Sequence, residues 1–387
     1  MVASAAPRRP TVPSEPLGGL AAATFLRRHW HKKPLLVRAA LPGFTGPFRK
    51  RDLFALAGRD DVESRIVVRE GRRWTLAHGP FAASHLQSLP SRNWTLLVQG
   101  VNLVDRRGDA LLRRFSFLPF ARLDDLMVSY AVPGGGVGPH FDSYDVFLLQ
   151  GFGVRRWRYG AQDNLDLKPG LPLRILRRFS PTHDEALQPG DLLYLPPHLA
   201  HDGVAIDACT TYSIGFRAPA ALELGVAFLD FLRDELDLPG RYADADLAAV
   251  RSPAAITAAM RGRYRRMLDG VTWDSNAVAR FVGCWLSEPK PHVFFERPAP
   301  PLPPSAFRRS AAKDGVRLDL KSQLLYDDRH LYINGTALPW PETSRKTLRR
   351  LANDRAVAST AAGSVSREVA TILYNWYRDG YVHTGIA

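Results

Sequence analysis

The chain has 387 residues, 45% of them apolar and 23% charged, which excludes a fibrous or disordered protein and suffices for a sizeable core in two or three compact units. Its net charge of +14, carried by 44 arginines and 8 lysines, favours an acidic partner such as nucleic acid, a ribosome or an anionic membrane surface without choosing among them. Two cysteines exclude a disulfide framework, and no apolar run has the length of a signal peptide or membrane span, so we expect a soluble, cytoplasmic protein.

The first 100 residues alternate between short helices and strands. Residues 1–16 are rich in proline and are predicted to form a disordered leader. The periodicity beyond it predicts helices over 21–30, 49–56 and 80–86 and strands over 35–38, 64–68 and 94–100. His29 and His31 flank Trp30 at the end of the first helix and are interpreted as surface residues.

From residue 126 to residue 217 the pattern changes to short strands separated by glycine and proline. The predicted strands are 126–132, 145–150, 154–159, 192–195 and 210–216. Antiparallel strands at this spacing favour a closed or double-sheet barrel of the cupin and jelly-roll kind. The whole chain is therefore predicted to be a mixed β and α protein.

A candidate metal site lies in this barrel region. His140 and Asp142 are two residues apart, so on an extended strand both side chains leave the same face. His201 is the candidate third ligand, with His198 as the alternative three residues before it. Two histidines and one carboxylate leave three coordination positions open, which is typical of non-haem Fe(II) oxygenases, although the ligand types alone do not exclude zinc.

The strand that follows the metal motif carries four large side chains in alternation. Arg155 and Trp157 share one face, and Arg156 and Arg158 share the other. A guanidinium beside a metal site can hold a carboxylate with two hydrogen bonds, and Arg155 suits the distal carboxylate of 2-oxoglutarate. Arg156 and Arg158 are interpreted as solvated residues of an edge strand.

The chain after residue 217 is predicted to contain two further domains. Apolar residues at helical spacing over 222–236, with helices over 254–268 and 276–286, form a helical domain spanning 218–297, whose apolar face indicates either a dimer interface or core packing. A proline-rich linker then leads into strands and helices in the order of a small winged-helix domain, spanning 298–387. This domain shows no basic recognition helix and is interpreted as a scaffold or protein-contact module. The barrel domain spans 17–217.

Several segments together resemble the JmjC-type 2-oxoglutarate oxygenases and, within them, the bacterial ribosomal-protein arginine hydroxylases. The matching segments are 123–127, 132–140, 144–147, 150–151, 156–158 and 212–217. The resemblance implies a double-stranded β-helix, with His140, Asp142 and His201 as iron ligands and Arg155 as the anchor of 2-oxoglutarate. It also implies dioxygen as the other co-substrate, and it favours a homodimer.

The substrate implied by the resemblance is an arginine, at its β-carbon, on a large-subunit ribosomal protein. A guanidinium needs a carboxylate and a flat partner, for which Asp125 and Tyr144 are candidates, and Ser213 is a candidate hydrogen-bonding residue. The alternatives are that Asp125 pairs with Arg122 and that Tyr144 is packed in the core.

Two other functions remain open from the sequence. One is hydroxylation of a histidine on a ribosomal protein by the same class of enzyme. The other is a non-enzymatic winged-helix protein that binds RNA or the ribosome and carries a degenerate barrel, against which the intact His140, Asp142 and His201 set argues. Contact with nucleic acid is compatible with the enzyme but not required by it.

Overall fold

The computed structural model describes residues 16–385, so the predicted leader lies almost wholly outside the described residues. The elements as far as residue 216 are α1 (Ala22–Arg28), β1 (Leu35–Val37), α2 (Lys50–Ala57), β2 (Ser64–Glu70), β3 (Arg73–His78), α3 (Ala83–Gln87), β4 (Trp94–Val98), α4 (Arg106–Arg113), β5 (Leu123–Ala131), β6 (Val146–Gln150), β7 (Arg155–Gly160), β8 (His183–Leu187), β9 (Leu192–Leu195), β10 (Ala200–Ala205) and β11 (Cys209–Phe216).

The remaining elements are mostly helical at first and mixed thereafter. They are α5 (Ala221–Glu235), α6 (Ala258–Leu268), α7 (Ser275–Ser287), α8 (Pro304–Asp314), β12 (Val316–Leu318), β13 (Leu324–Tyr326), β14 (His330–Ile333), β15 (Thr336–Pro339), α9 (Arg345–Asp354), β16 (Ala356–Val357), α10 (Ser359–Gly363), α11 (Arg367–Arg378) and β17 (Val382–Thr384). Between residues 16 and 385, no helix combines the length and the apolar character that a membrane crossing requires.

The strands before residue 217 form two antiparallel sheets, as the jelly-roll prediction requires. The larger sheet has the order β1-β9-β6-β11-β5-β4-β2-β3, and the smaller has the order β10-β7-β8. Some neighbouring strands are far apart along the chain, and β11, for example, pairs with both β5 and β6. Strands from distant parts of the sequence are thereby brought together around one interior.

Alternating side chains divide the buried residues between two faces of the larger sheet. Val146 and Leu148 of β6 pack with Trp157 and Leu187 of the smaller sheet. The intervening residues of β6 belong to a larger core on the opposite face, to which helices α1, α2 and α4 contribute. The site described below lies on the inner face, between the two sheets.

Strand β7 is the central strand of the smaller sheet, so the interpretation of Arg156 and Arg158 as edge-strand residues is wrong. β7 pairs with β10 on one side and β8 on the other. The outward Arg156 pairs with Asp184 of β8, and Arg158 donates to Asp202 of β10 at 2.5 Å. These charges therefore link neighbouring strands.

The chain divides into two compact units, each assembled from segments that are separate in the sequence. One unit contains residues 16–218, 290–322 and 355–385, and the other contains residues 219–289 and 323–354. The second unit groups helices α5–α7 and α9 with the three-stranded sheet β13-β14-β15. The boundaries at residues 218 and 298 thus stay a prediction.

Candidate metal centre

His140 and His201 are held side by side by their own backbones. The His140 amide donates to the His201 carbonyl at 2.9 Å, and the His201 amide donates to the His140 carbonyl at 2.8 Å. The two ring centroids are 4.2 Å apart. A pair of backbone hydrogen bonds therefore fixes the spacing of two imidazoles that are 61 residues apart in the sequence.

The same nitrogen of each imidazole is engaged by the backbone. Nδ1 of His140 lies 2.9 Å from the Gly138 carbonyl, and Nδ1 of His201 lies 2.9 Å from the Leu199 carbonyl. Because a carbonyl only accepts, each Nδ1 carries the proton and each Nε2 keeps a free lone pair. Outer hydrogen bonds of this kind orient histidines for metal binding.

Asp142 completes a cluster of three potential ligands. Its Oδ2 lies 3.6 Å from His201 Nε2, and one ligand atom from each of His140, Asp142 and His201 lies within 4.8 Å of the others. Among the described residues this is the cluster with metal-binding geometry, and His198 is not in it. His198 instead donates its backbone amide to the Asp142 carbonyl at 2.7 Å.

The electrostatics of His201 also suit a metal ligand. Burial, with a further contribution from His140, lowers the pKa of His201 to about 4. The imidazole is therefore neutral at physiological pH, which is the form that coordinates a metal. Two histidines and one carboxylate fit a divalent cation such as Fe(II).

Arg155 lies on the inner face of β7 and is buried without a carboxylate partner among the described residues. Nη1 donates to Ser129 Oγ at 3.0 Å, and Nη2 donates to the Gly203 carbonyl at 3.2 Å. Its Nε is buried and has no hydrogen-bond partner. Burial lowers the pKa of Arg155, but an arginine keeps its charge at neutral pH. An acidic ligand would pair this charge.

Trp157 is a second inward residue of β7 with an unsatisfied donor. Its ring lies beneath the Arg155 guanidinium at 5.3 Å and its centroid is 6.0 Å from that of His201. The indole Nε1 is buried without a partner. The sequence predicted that Trp157 shares a face of the strand with Arg155, but it did not indicate that the indole N–H lacks a partner.

The three predicted substrate residues lie near β11, but Asp125 already has partners. Asp125 is buried, accepts from Gln99 Nε2 at 2.5 Å and lies 3.7 Å from Lys290 Nζ. Burial raises the pKa of Asp125, while Lys290 opposes that shift. Sequence reasoning missed Gln99 and Lys290 because neither is close to Asp125 in the chain.

Gly215 marks the space between Asp125 and Tyr144. A Cβ at this glycine would be 3.6 Å from Asp125 Oδ1 and 4.0 Å from the Tyr144 ring. Tyr144 is 39% exposed, and burial with the nearby Asp142 raises its pKa, so its phenol is neutral. Ser213, two residues before Gly215 on β11, is buried. The alternative in which Asp125 pairs with Arg122 is wrong, because Arg122 lies by Asp145.

Asp145 anchors the end of the metal motif through contacts that the sequence did not reveal. This fully buried carboxylate accepts from the Tyr194 hydroxyl at 2.5 Å and lies 3.0 Å from His31 Nε2. His31 is exposed, as predicted, but its contact with this buried carboxylate was not predicted. The network fixes the chain directly after Tyr144.

Comparisons with known proteins agree with this architecture. Residues 110–224 match the JmjC domain family, and residues 270–383 match the ROXA-like winged helix. The chain is 37% identical over 347 residues to the ribosomal protein uL16 3-hydroxylase of Escherichia coli, which covers 88% of this chain and 90% of that protein. A probable ribosomal oxygenase of Haemophilus influenzae is 41% identical over 50% of the chain and 49% of its own length.

Solved structures give the same result. The X-ray structure of E. coli YcfD aligns with a TM-score of 0.83 at 33% identity, over 94% of this chain and 98% of that one. A YcfD structure in complex with cobalt and 2-oxoglutarate aligns with a TM-score of 0.81 at 33% identity over the same shares. The predicted fold class, a double-stranded β-helix followed by helices and a winged helix, is confirmed.

Proposed function

The chain belongs to the ribosomal oxygenase family of JmjC-domain proteins, and on that premise we propose that it hydroxylates the β-carbon of an arginine on a large-subunit ribosomal protein. It is an Fe(II)- and 2-oxoglutarate-dependent oxygenase. The observation that carries the proposal is the cluster of His140, Asp142 and His201 near a buried arginine that lacks an acidic partner. The relative with 37% identity is named a ribosomal protein uL16 3-hydroxylase.

His140, Asp142 and His201 are proposed to hold the iron. When bound, Fe(II) with 2-oxoglutarate and dioxygen supplies the oxidising power to place a hydroxyl on an unactivated carbon, with decarboxylation of 2-oxoglutarate to succinate. The chain contributes one carboxylate and two imidazoles, each imidazole oriented by a backbone carbonyl. Two carbonyls that hold the Nδ1 protons keep both Nε2 atoms available.

Arg155 is proposed to bind the distal carboxylate of 2-oxoglutarate. A carboxylate at its free Nε–H would satisfy a buried donor and neutralise a buried charge. Ser129 and the Gly203 carbonyl would hold the guanidinium in place before the co-substrate arrives. Such preorganisation reduces the entropy lost on binding.

Asp125, Tyr144 and Ser213 are proposed to receive the substrate arginine. Asp125 supplies a buried carboxylate, and Tyr144 supplies a partly exposed ring on the other side of the space at Gly215. Lys290 lies near that carboxylate, so a guanidinium would share or displace its contact. A neutral histidine substrate would gain less from Asp125, which favours arginine.

The protein is proposed to work as a homodimer in the compartment that holds ribosomes. Helix α5 exposes Leu222, Val226 and Leu229, at 79%, 52% and 63% exposure, along one stripe of the helix. Helix α6 exposes Tyr264, Met267 and Leu268 as well. An apolar stripe of this kind is typical of a surface that a second copy covers.

Mass spectrometry tests the proposed reaction. The protein is incubated with Fe(II), 2-oxoglutarate, ascorbate and large-subunit ribosomal-protein peptides, and a gain of one oxygen on arginine is expected. Asp142→Ala is expected to abolish the gain, whereas Asp184→Ala, a carboxylate variant on the outer face, is expected to retain it. A gain on histidine would replace the proposed target, and RNA binding without any turnover of 2-oxoglutarate would favour the non-enzymatic alternative.

A further inference from the structure

Two arginine-rich segments lie beside the metal motif in the barrel unit. We call them the basic rim: Arg69, Arg72 and Arg73 of the β2–β3 hairpin, and Arg174, Arg177 and Arg178 of the loop between β7 and β8. All six side chains are exposed. The rim accounts for six of the chain's positive charges and takes no part in the function proposed above.

Both segments contact the chain immediately before His140. A Cβ at Gly138 would be 3.1 Å from the Ile175 side chain and 3.3 Å from the Trp74 ring. The Leu176 amide donates to the Pro139 carbonyl at 2.8 Å. Because Trp74 follows the first arginine group and Ile175 lies within the second, the rim is fixed next to the metal motif.

Aromatic rings hold two of the rim arginines in place. The Arg69 guanidinium lies 5.4 Å from the centre of the Trp74 ring, and that of Arg174 lies 5.8 Å from the centre of Phe141, which follows His140. Stacked guanidiniums lose less freedom on binding and keep their hydrogen-bond donors at the ring edge available. The Arg174 guanidinium therefore lies beside the metal motif itself, because Phe141 is between His140 and Asp142.

The rim charges are not neutralised within the described part of the chain. None of the ion pairs found among residues 16–385 includes a rim arginine, although Glu70 lies opposite Arg73 in the β2–β3 pairing. By contrast, Arg156 and Arg158 on the neighbouring strand both have aspartate partners. Unpaired and exposed guanidiniums in a group are free to bind phosphate oxygens.

We propose that the basic rim binds the phosphates of RNA, so that the enzyme recognises its ribosomal-protein substrate together with the RNA that carries it. This inference rests on the proposed function. A cationic substrate side chain gains nothing from six further cations beside the metal motif, since like charges repel. RNA beside the substrate removes that conflict, because its phosphates pair with the rim while the substrate side chain reaches Asp125. The planar guanidinium fork can hold a phosphate with two parallel hydrogen bonds, so each rim arginine can engage one RNA phosphate.

Fluorescence anisotropy with a labelled oligouridine of about 20 nucleotides tests the rim, because site sizes of single-strand binders fall within that length. The rim variant is Arg72→Gln, Arg73→Gln, Arg177→Gln and Arg178→Gln. We expect its Kd to rise by about tenfold or more, and the slope of log K against log salt to fall by about 3, since each phosphate contact contributes about 0.7 for single strands. A matching Arg→Lys variant is expected to keep the wild-type slope, which separates lost charge from misfolding.

Helix α9 provides the control. It exposes Arg345, Lys346, Arg349 and Arg350, which corrects the expectation that this region has no basic helix, and their replacement by Gln removes as many charges from another basic surface. We expect this variant to bind the oligouridine within about twofold of the wild type. An equal loss in both variants, or an unchanged Kd in the rim variant, would overturn the inference.

A competition experiment decides whether the rim prefers RNA or binds any polyanion. Polyglutamate, at the same concentration of charges, is expected to displace the oligouridine poorly, and equal displacement would show a general anion surface and overturn the RNA assignment. The binding assay contains neither Fe(II) nor 2-oxoglutarate. Its failure is therefore distinguishable from failure of the hydroxylation assay.

Discussion

Arg155 combines full burial, three neutral partners and a donor without a partner, and an acidic ligand resolves this combination. The side chain is 4% exposed, and its Nη atoms donate to Ser129, Thr211 and the Gly203 carbonyl. A buried cation whose partners are all neutral is costly in the free protein. A bound carboxylate would pair this cation and remove the unfavourable free energy of burying it alone. Arg155 would therefore contribute to the affinity for the co-substrate.

Replacement of Arg155 by methionine tests this role. We expect the KM for 2-oxoglutarate to rise by roughly 10- to 100-fold, as the loss of a charge-assisted hydrogen bond of about 1.5–3 kcal/mol requires. Succinate release at varied 2-oxoglutarate measures the change. The control is Arg156→Met, on the outer face of the same strand, which should leave the KM unaltered. Equal effects of both substitutions would argue against the anchor.

Gly203 is a position where the site depends on the absence of a side chain. A Cβ there would lie 2.7 Å from the Trp157 ring, while the Gly203 carbonyl accepts from Arg155. We expect Gly203→Ala to destabilise the fold by about 1–3 kcal/mol through overpacking and to weaken 2-oxoglutarate binding. Thermal unfolding and calorimetric titration measure the two effects.

Gly262 is the matched control for that substitution. It lies within helix α6, where an added Cβ would meet only the end of the Arg266 side chain at 3.7 Å, so Gly262→Ala should stabilise the protein by about 0.5–1 kcal/mol. If Gly203→Ala unfolded at the wild-type temperature, the close packing around Trp157 would not be important for stability.

At the residue scale, the spacing of residues along a strand predicted which side chains share a face. It put His140 and Asp142 on one face and Arg155 on the inner face of β7. It did not predict Gln99 or Lys290 beside Asp125, because these contacts join residues 26 and more than 160 positions apart. Nor did it predict that His31 meets Asp145. Only the fold creates such pairs.

At the element scale, strongly periodic segments were predicted well and polar strands were missed. Strand β9 was predicted with its observed limits, and β6 within one residue. Strand β8 has the sequence His-Asp-Glu-Ala-Leu, which shows no apolar alternation, and it was missed. Because β8 was not predicted, β7 was interpreted as an edge strand. In the structure the Arg156–Asp184 pair joins the two strands.

Beside the sheet β16-β12-β17, a hydrogen-bonded carboxylate makes stability depend on pH. Asp319, which follows β12, lies 2.8 Å from His383 Nε2 on β17 and accepts from the Lys321 amide at 2.9 Å. Burial raises the pKa of Asp319, but these hydrogen bonds outweigh it and the net pKa is lowered. A folded pKa below the unfolded value of about 3.9 means that the pair stabilises the protein above about pH 4 and ceases to do so as the pH falls further.

Asp319→Asn tests this linkage. We expect the variant to be less stable than the wild type at pH 6 and the difference to shrink as the pH is lowered below about 4, in urea unfolding followed by tryptophan fluorescence. Asp314→Asn, an exposed carboxylate near the end of α8, is the control and should show no such trend. A constant difference across this range would contradict the assignment.

At the scale of the whole molecule, the resemblance along most of the chain predicted the family, while the grouping of segments required the structure. Residues 323–354 cluster with residues 219–289, whereas residues 290–322 and 355–385 cluster with the barrel. No local pattern signals such an exchange, because composition along a segment carries no information on its distant partners. The linker predicted at residue 298 is followed directly by helix α8, which was not predicted.

The oligomeric state depends on the exposed stripe of α5. We expect the wild type to sediment at twice the 43.0-kDa chain mass and the variant Val226→Glu with Leu229→Glu to sediment as a monomer, since charges cannot be buried cheaply in an apolar interface. Glu223→Gln, on the same helix, should remain dimeric. A monomeric wild type, or a variant that stays dimeric, would refute the proposed interface.

The central claim is that three side chains and one buried arginine form a single site for a metal ion and 2-oxoglutarate. A crystal structure with Mn(II) and 2-oxoglutarate, analysed by anomalous scattering, tests it most directly. We predict one metal peak roughly 2–2.3 Å from His140 Nε2, Asp142 Oδ2 and His201 Nε2, with the distal carboxylate of 2-oxoglutarate on Arg155. A metal bound without Asp142 or His201, or a distal carboxylate placed away from Arg155, would contradict the account.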